Sequence, residues 1–229
     1  MVTLIHGGNI VASRAELTAK ISALGTIEVR RLDGSSIDEA MLTQALESSS
    51  LFGGQTAVVI ENLFSKLGRK LKLIEKLAGK IRESGDSALI FLWEDKDMGK
   101  TVISGLGEKA KVLQFKLSPL IFEFLDAVRP GNASILLPLV QRLFLQDAPE
   151  LVFAMLVKRL RQLLILRDGG IPDGLMGWQA SRLTTQSRHF TLEQLRMMYK
   201  KCLDIEHSIK SGTSPFTMAQ HIELLLADI

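Results

Sequence analysis

Residues 56–60 and 88–93 read Thr-Ala-Val-Val-Ile and Ala-Leu-Ile-Phe-Leu-Trp, apolar along almost their whole length. A strand of that kind has no face that tolerates water. It belongs in the middle of a parallel sheet covered on both sides by helices. The surrounding segments supply the rest of such a sheet. Residues 2–5 are a short β-rich run that ends at Gly7-Gly8. Residues 27–32 form a second, more polar run, which suits a place near an edge. Residues 112–115 form the last one. Between the runs lie helical patterns with connections of a few residues. Ser13 with Glu16, and Ser36 with Glu39, have capping-box spacing and predict helices over 13–24 and 36–47. Residues 63–82 carry Leu63, Leu67, Leu71, Ile74, Ala78 and Ile81 on one stripe and predict a single long helix. A short helix is predicted over 98–106. The βαβ alternation implies an α/β domain of three layers around a parallel sheet, ending near Leu117.

Beyond Leu117 the strand pattern stops. Pro119 suits a first helical position, and six helices are predicted over 119–128, 132–146, 149–167, 173–186, 191–210 and 215–227. Arg129-Pro130-Gly131, Ala148-Pro149, Asp168-Gly169-Gly170 and Ser211-Gly212 separate most of them with turn chemistry. Such short links predict a helical bundle. The expected division is 1–117 for the α/β half and 118–229 for the all-helical half.

Composition narrows the function class. The 229 residues are 46% hydrophobic and 23% charged, ordinary for a globular chain. No run reaches the roughly 18 apolar residues of a spanning helix. The start, Met1-Val-Thr-Leu-Ile-His6, lacks a basic leader region, so no signal peptide and a cytoplasmic location are expected. A lone cysteine, Cys202, excludes an internal disulfide and a four-cysteine zinc site. The formal charge of +3 is small for a dedicated nucleic-acid binder. It is spread evenly, +2 before Leu117 and +1 after it.

Chemical motifs are sparse. Gly99-Lys100-Thr101 follows a predicted strand as a phosphate loop would. Glu94 stands where the first glycine belongs, and the acidic stretch Glu94-Asp95-Lys96-Asp97 repels phosphate. Gly105-Leu106-Gly107 with Ala110 spells GxGxxA but precedes a strand, the reverse of the dinucleotide-binding order. His6-Gly7-Gly8-Asn9 has no lysine and reads as a tight turn. His6, His189, His207 and His221 lack metal spacing. Cys202 and His207 do not share a helical face. Asp95 and Asp97 lie beside Lys96 and Lys100 and read as a solvated charge cluster. No catalytic residue, cofactor or metal is expected.

Three features carry functional content. Ser48-Ser49-Ser50-Leu51-Phe52-Gly53-Gly54 reads as a surface turn with two large apolar residues at its centre. These are either core packing at a helix end or anchors for another protein's pocket. The helix 63–82 holds seven basic residues, Lys66, Arg69, Lys70, Lys72, Lys76, Lys80 and Arg82, against Glu75. Its face is solvated or meets an anionic partner, DNA included. The third is the stretch with Trp178-Gln179, Arg182, Arg188-His189-Phe190 and Asp204 through Ile209-Lys210-Ser211-Gly212.

Taken in order, these stretches resemble the delta subunit family of the bacterial DNA polymerase III clamp loader. Ser50-Leu51-Phe52-Gly53 with the strand 56–60 resembles that family's clamp-binding turn. Asp95-Lys96-Asp97 resembles the loop near the end of its first domain. Phe122 to Ala127 and Lys158-Arg159-Leu160-Arg161-Gln162 resemble the opening of its helical collar, and Gln179-Ala180 through Gly212 resembles the collar's end. The resemblance implies a degenerate ATPase-like α/β domain that binds no ATP, followed by a collar-like helical domain, with the family's small lid missing. It implies Leu51 and Phe52 as the plug for a pocket on the sliding clamp. It also implies loader subunits as partners of the helical half, and DNA met indirectly or weakly, with Lys66, Arg69, Lys70 and Lys76 as possible contacts. The position two before Leu51, often apolar in the family, is Ser49 here. The Ser-Arg-Cys arginine-finger motif of the other loader subunits is absent.

Overall fold

The computed structural model describes residues 1–51, 56–68, 70–86, 88–175 and 177–229, side chains of residues 47–51 excepted. The chain divides into two compact units, Met1–Leu117 and Ser118–Ile229.

The first unit is built on five parallel strands, β1 (Val2–His6), β2 (Glu28–Asp33), β3 (Thr56–Glu61), β4 (Leu89–Glu94) and β5 (Lys111–Gln114). They lie in the order β2-β3-β4-β1-β5. The apolar strands β3 and β4 and the short β1 fill the centre, and the polar β2 and β5 form the edges, as their patterns imply. Helix α1 (Ile10–Ser22) covers one face, where Leu17 meets Ile5, Val59, Phe91 and Trp93. Helices α2 (Glu39–Leu51), α3 (Leu63–Leu67), α4 (Leu71–Ser84) and α5 (Lys100–Gly105) cover the other, with Leu42, Phe64, Ile74, Ile81 and Val102 against Leu4, Ile60 and Leu92. The three-layer α/β architecture is therefore the observed one.

Three local expectations change. Ser13 does not cap α1. The chain turns earlier, and Asn9 Oδ1 accepts from the Ala12 N–H at 3.1 Å. Ser13 is instead buried inside the helix, its Oγ accepting from the Trp93 indole N–H at 3.1 Å. Ser36 likewise lies in a turn, and Asp38 Oδ1 accepts from the Met41 N–H at 2.8 Å to start α2. The single helix expected over 63–82 is two. Its stripe would have buried Leu71, yet Leu71 is 57% exposed. Leu63 and Phe64 enter the core from a left-handed Asn62 (φ 58°), and the chain turns again at Gly68 (φ 61°) before Ile74, Leu77, Ala78 and Ile81 pack. Both segments address the core only if the axis breaks between them.

The second unit consists of α6 (Pro119–Ala127), α7 (Ala133–Phe144), α8 (Pro149–Arg167), α9 (Gly177–Ser187), α10 (Leu192–Lys210) and α11 (Met218–Ala227). Pro119 and Pro149 open their helices, and Thr191 and Thr217 complete capping boxes with Gln194 and Gln220. Helix α8 is central. Leu151, Val152, Leu156, Leu160 and Leu163 are buried on it, and it packs against α6, α9, α10 and α11.

Candidate functional site

In an open parallel sheet, ligands gather at the carboxyl ends of strands where the connections diverge. Here α1 leads from β1 toward β2 while α5 leads from β4 across to β5, so that point lies between β1 and β4. The turn after β1 is closed by the protein itself. The Gly7 N–H donates to the Glu94 carbonyl at 3.3 Å and the Asn9 N–H to the Phe115 carbonyl at 3.0 Å. A Cβ on Gly7 (φ +130°) would stand 2.1 Å from the Phe115 oxygen. Backbone donors that would cradle a phosphate in an open loop are taken up by neighbouring strands.

Most side chains here are occupied too, but among the described residues the buried His6 Nε2 and Asp95 Oδ1 have no hydrogen-bond partner. Glu94 is fully buried, and its carboxylate accepts from the N–H groups of Phe64 and Ser65, both at 2.8 Å, and from Ser65 Oγ at 2.5 Å. Burial pushes its pKa up against the pull of those bonds. His6 is buried beside it in register, and its Nδ1 accepts from the Met98 N–H at 3.1 Å. Burial holds its pKa below the ordinary value, with Asp97 opposing. Arg14 stacks on Trp93 with its guanidinium carbon 3.6 Å from the ring centroid, and it pairs with Glu61 at 2.7 Å. Gly99-Lys100-Thr101 begins the six-residue α5, with Gly99 as the N-cap and Lys100 exposed. These groups fasten loops to the sheet.

Of the apolar pair expected to anchor a partner, Leu51 is described, and its backbone lies at the end of the helix that leads into the amino end of β3. Helix α2 continues to Leu51, so the serines 48–50 read as a turn are helical in backbone. The helical hydrogen-bond ladder simply runs one turn past Glu47, since serine near a helix end costs little. Phe52 lies outside the described residues, and residues 52–55 connect α2 to the buried β3. A cleft of about 720 Å³ opens at this amino-terminal edge, lined by Val2, Arg82, Gly85, Asp86, Leu106 and Lys109 among others.

The basic residues do not share one helix. Lys66 is exposed on α3, Lys70 is exposed just before α4, and Arg69 lies outside the described residues. Lys76 and Lys80 turn toward α2 and clamp Glu39 at 2.6 and 2.8 Å. Their hydrogen bonds hold the Glu39 carboxyl below the usual range.

In the helical unit a polar cluster joins three helices. Arg159 of α8 donates to Asp126 Oδ1 at 2.9 Å and to Gln186 Oε1 at 2.7 Å. Arg182 of α9 pairs with the other Asp126 oxygen. Buried Gln186 donates to the carbonyls of Leu125 and Val128 at 2.8 and 2.9 Å, closing the carboxyl end of α6. The sequence singled out Arg182 and placed Asp126 and Arg159 in the stretches of the resemblance, but it gave Gln186 no role and did not join the four. The available signal was a glutamine three residues after Leu183, on the same face of a helix. Among the described residues, no cluster of histidine, cysteine and carboxylates could hold a metal ion, and no helix is long and apolar enough to cross a membrane.

No protein-family model matches the chain, and no curated protein matches it in sequence. Among solved structures, the Bacillus subtilis DNA clamp loader delta protein (YqeN) superposes with a TM-score of 0.44 at 13% identity, over 99% of this chain and 94% of that one. A structure of Drosophila ORC bound to AT-rich DNA and Cdc6 superposes with a TM-score of 0.36 at 11% identity, over 88% of this chain and 45% of that one.

Proposed function

We propose that the chain is a delta-like subunit of the DNA polymerase III clamp loader. It binds the sliding clamp through Leu51 and Phe52 and helps hold the clamp open for loading onto DNA. It performs no chemistry of its own, and its helical half seats it among loader partners. The observation that carries this reading is that α2 ends at Leu51 and leads directly into β3, a strand buried along nearly its whole length. A strand held on both sides fixes the base of the connection before it. The closed turn after β1 supports a subunit that leaves ATP to its neighbours. Ile171 and Trp178, 84% and 65% exposed around the α8–α9 connection, support a partner surface on the helical half.

The test is the Leu51→Ala, Phe52→Ala double variant, with binding to the cognate clamp measured by surface plasmon resonance. Anchors of this kind contribute about 2 kcal/mol or more each, so affinity should fall roughly a hundredfold or more while circular dichroism stays unchanged. Wild-type affinity in a folded double variant removes the plug assignment. The helix 63–82 as a DNA-binding module loses support, because its axis is broken and Lys76 and Lys80 are engaged by Glu39. The alternative reading of Gly99-Lys100-Thr101, a degenerate P-loop-type ATPase, is weakened by the acidic loop before it, and Lys100→Ala is the variant that discriminates it.

A further inference from the structure

The turn Arg129-Pro130-Gly131-Asn132 between α6 and α7 borders a cavity of about 630 Å³. The other wall is α9, whose Arg182, Thr185 and Gln186 line it at i, i+3 and i+4 and so share one face, with His189 in the turn just after the helix. Asp126 is the one acidic residue lining it, and that carboxylate is already held by two guanidinium groups, Arg159 behind it and Arg182 at the rim. Arg129 is exposed, and among the described residues its guanidinium has no ion pair or hydrogen-bond partner. Positive charge therefore exceeds negative in the cavity. The walls are braced, since Gln186 ties α9 to α6 and Arg159 ties both to α8. Asn132 does not cap α7 with its side chain, which donates to the Ala127 carbonyl at 2.7 Å instead.

We infer that this cavity binds a phosphate group, with Arg129 and Arg182 as its main ligands and His189 beside them. Guanidinium groups approaching from two walls suit a tetrahedral anion, which offers acceptors in several directions. A planar carboxylate suits one fork, and Asp126 already fills that role. Arg182 keeps donors to spare after its pairing, because guanidinium carries five. The phosphate comes either as a nucleic-acid backbone or as a free phosphate compound. The inference is independent of the clamp-binding reading and stands or falls separately.

Full-length protein is titrated with a labelled single-stranded oligonucleotide at several salt concentrations, and with pyrophosphate by calorimetry. The variants are Arg129→Gln, His189→Gln, their combination, and Arg129→Lys. Arg129→Gln should weaken binding roughly tenfold and lower the salt slope by about one, with Arg129→Lys intermediate. Competition by pyrophosphate identifies free phosphate chemistry, and oligonucleotide binding without that competition identifies the backbone diester. Both side chains are exposed, so melting temperatures should not move. The Leu51→Ala, Phe52→Ala variant should bind phosphate as wild type does. Equal binding of an oligonucleotide with an uncharged backbone removes the diester source, and the inference is overturned if neither probe binds through phosphate or if the double Gln variant binds both like wild type.

Discussion

His6 and Glu94 end neighbouring strands in register, and folding shifts them in opposite directions. Folding favours the protonated form of Glu94. Its contribution to stability is present below the unfolded value of 4.5 and is lost as pH climbs through the raised value. Folding favours neutral His6. That contribution is present above 6.5 and is lost as pH falls through the lowered folded value. Thermal melts across this range should therefore show Glu94→Gln gaining on wild type as pH rises from 4.5. A difference that is flat, or that grows the other way, contradicts the buried carboxyl. His6→Gln, which keeps an acceptor for the Met98 N–H, should flatten the decline below pH 6.5. Cys202 is a further case of burial setting chemistry, its thiol pushed up to about 12. It should resist iodoacetamide in the native protein and react once denaturant unfolds it.

At the scale of elements, the turn after β1 and the α6–α8–α9 cluster place the strongest demands on sequence. Gly7→Ala forces a side chain against the Phe115 carbonyl at a backbone angle that only glycine adopts easily. It should cost at least ~2 kcal/mol in denaturant unfolding. Gln186→Leu leaves the Leu125 and Val128 carbonyls without their donor and Arg159 without one acceptor. A loss of about 2–4 kcal/mol is expected, because buried polar groups stripped of partners keep their desolvation cost. A neutral result would mean that water replaces the amide. Helix α8 was readable in sequence from Pro149 to Asp168-Gly169-Gly170, since its start, its apolar face and its stop are all local. The break between α3 and α4 was not. One periodic stripe fits a single helix locally, and only the direction of the core divides it.

For the whole molecule, the parallel direction of all five strands decides which end of the α/β unit each loop occupies. The closed loops after β1 and β4 lie at the carboxyl ends. The end of α2 leads into the amino end of β3, and the cleft of about 720 Å³ is lined from the amino ends of β1, β4 and β5. Each unit has its own buried apolar residues, Leu4, Ile60 and Leu92 in one, Phe124, Leu160 and Leu226 in the other. We propose that each folds alone. A fragment of residues 118–229 should then melt cooperatively with a helical circular dichroism spectrum, and a non-cooperative melt would count against autonomy.

The sequence by itself determined the alternation of strands and helices, the central place of the apolar strands and the change to helices after Leu117. Those follow from periodicities of two and 3.6 residues and from breakers, which act over a few neighbours. Tertiary structure decided what each polar residue does. Glu94 reads locally as the start of an acidic loop, yet it is fully buried on the α3 amides about thirty positions earlier. Lys76 reads as a free cation and is held by Glu39 of another helix. Asp126, Arg159 and Gln186 meet only because α6, α8 and α9 pack together. Ion pairs and buried hydrogen bonds join residues far apart in the chain. Their partners are set by how elements pack, and no local pattern encodes that.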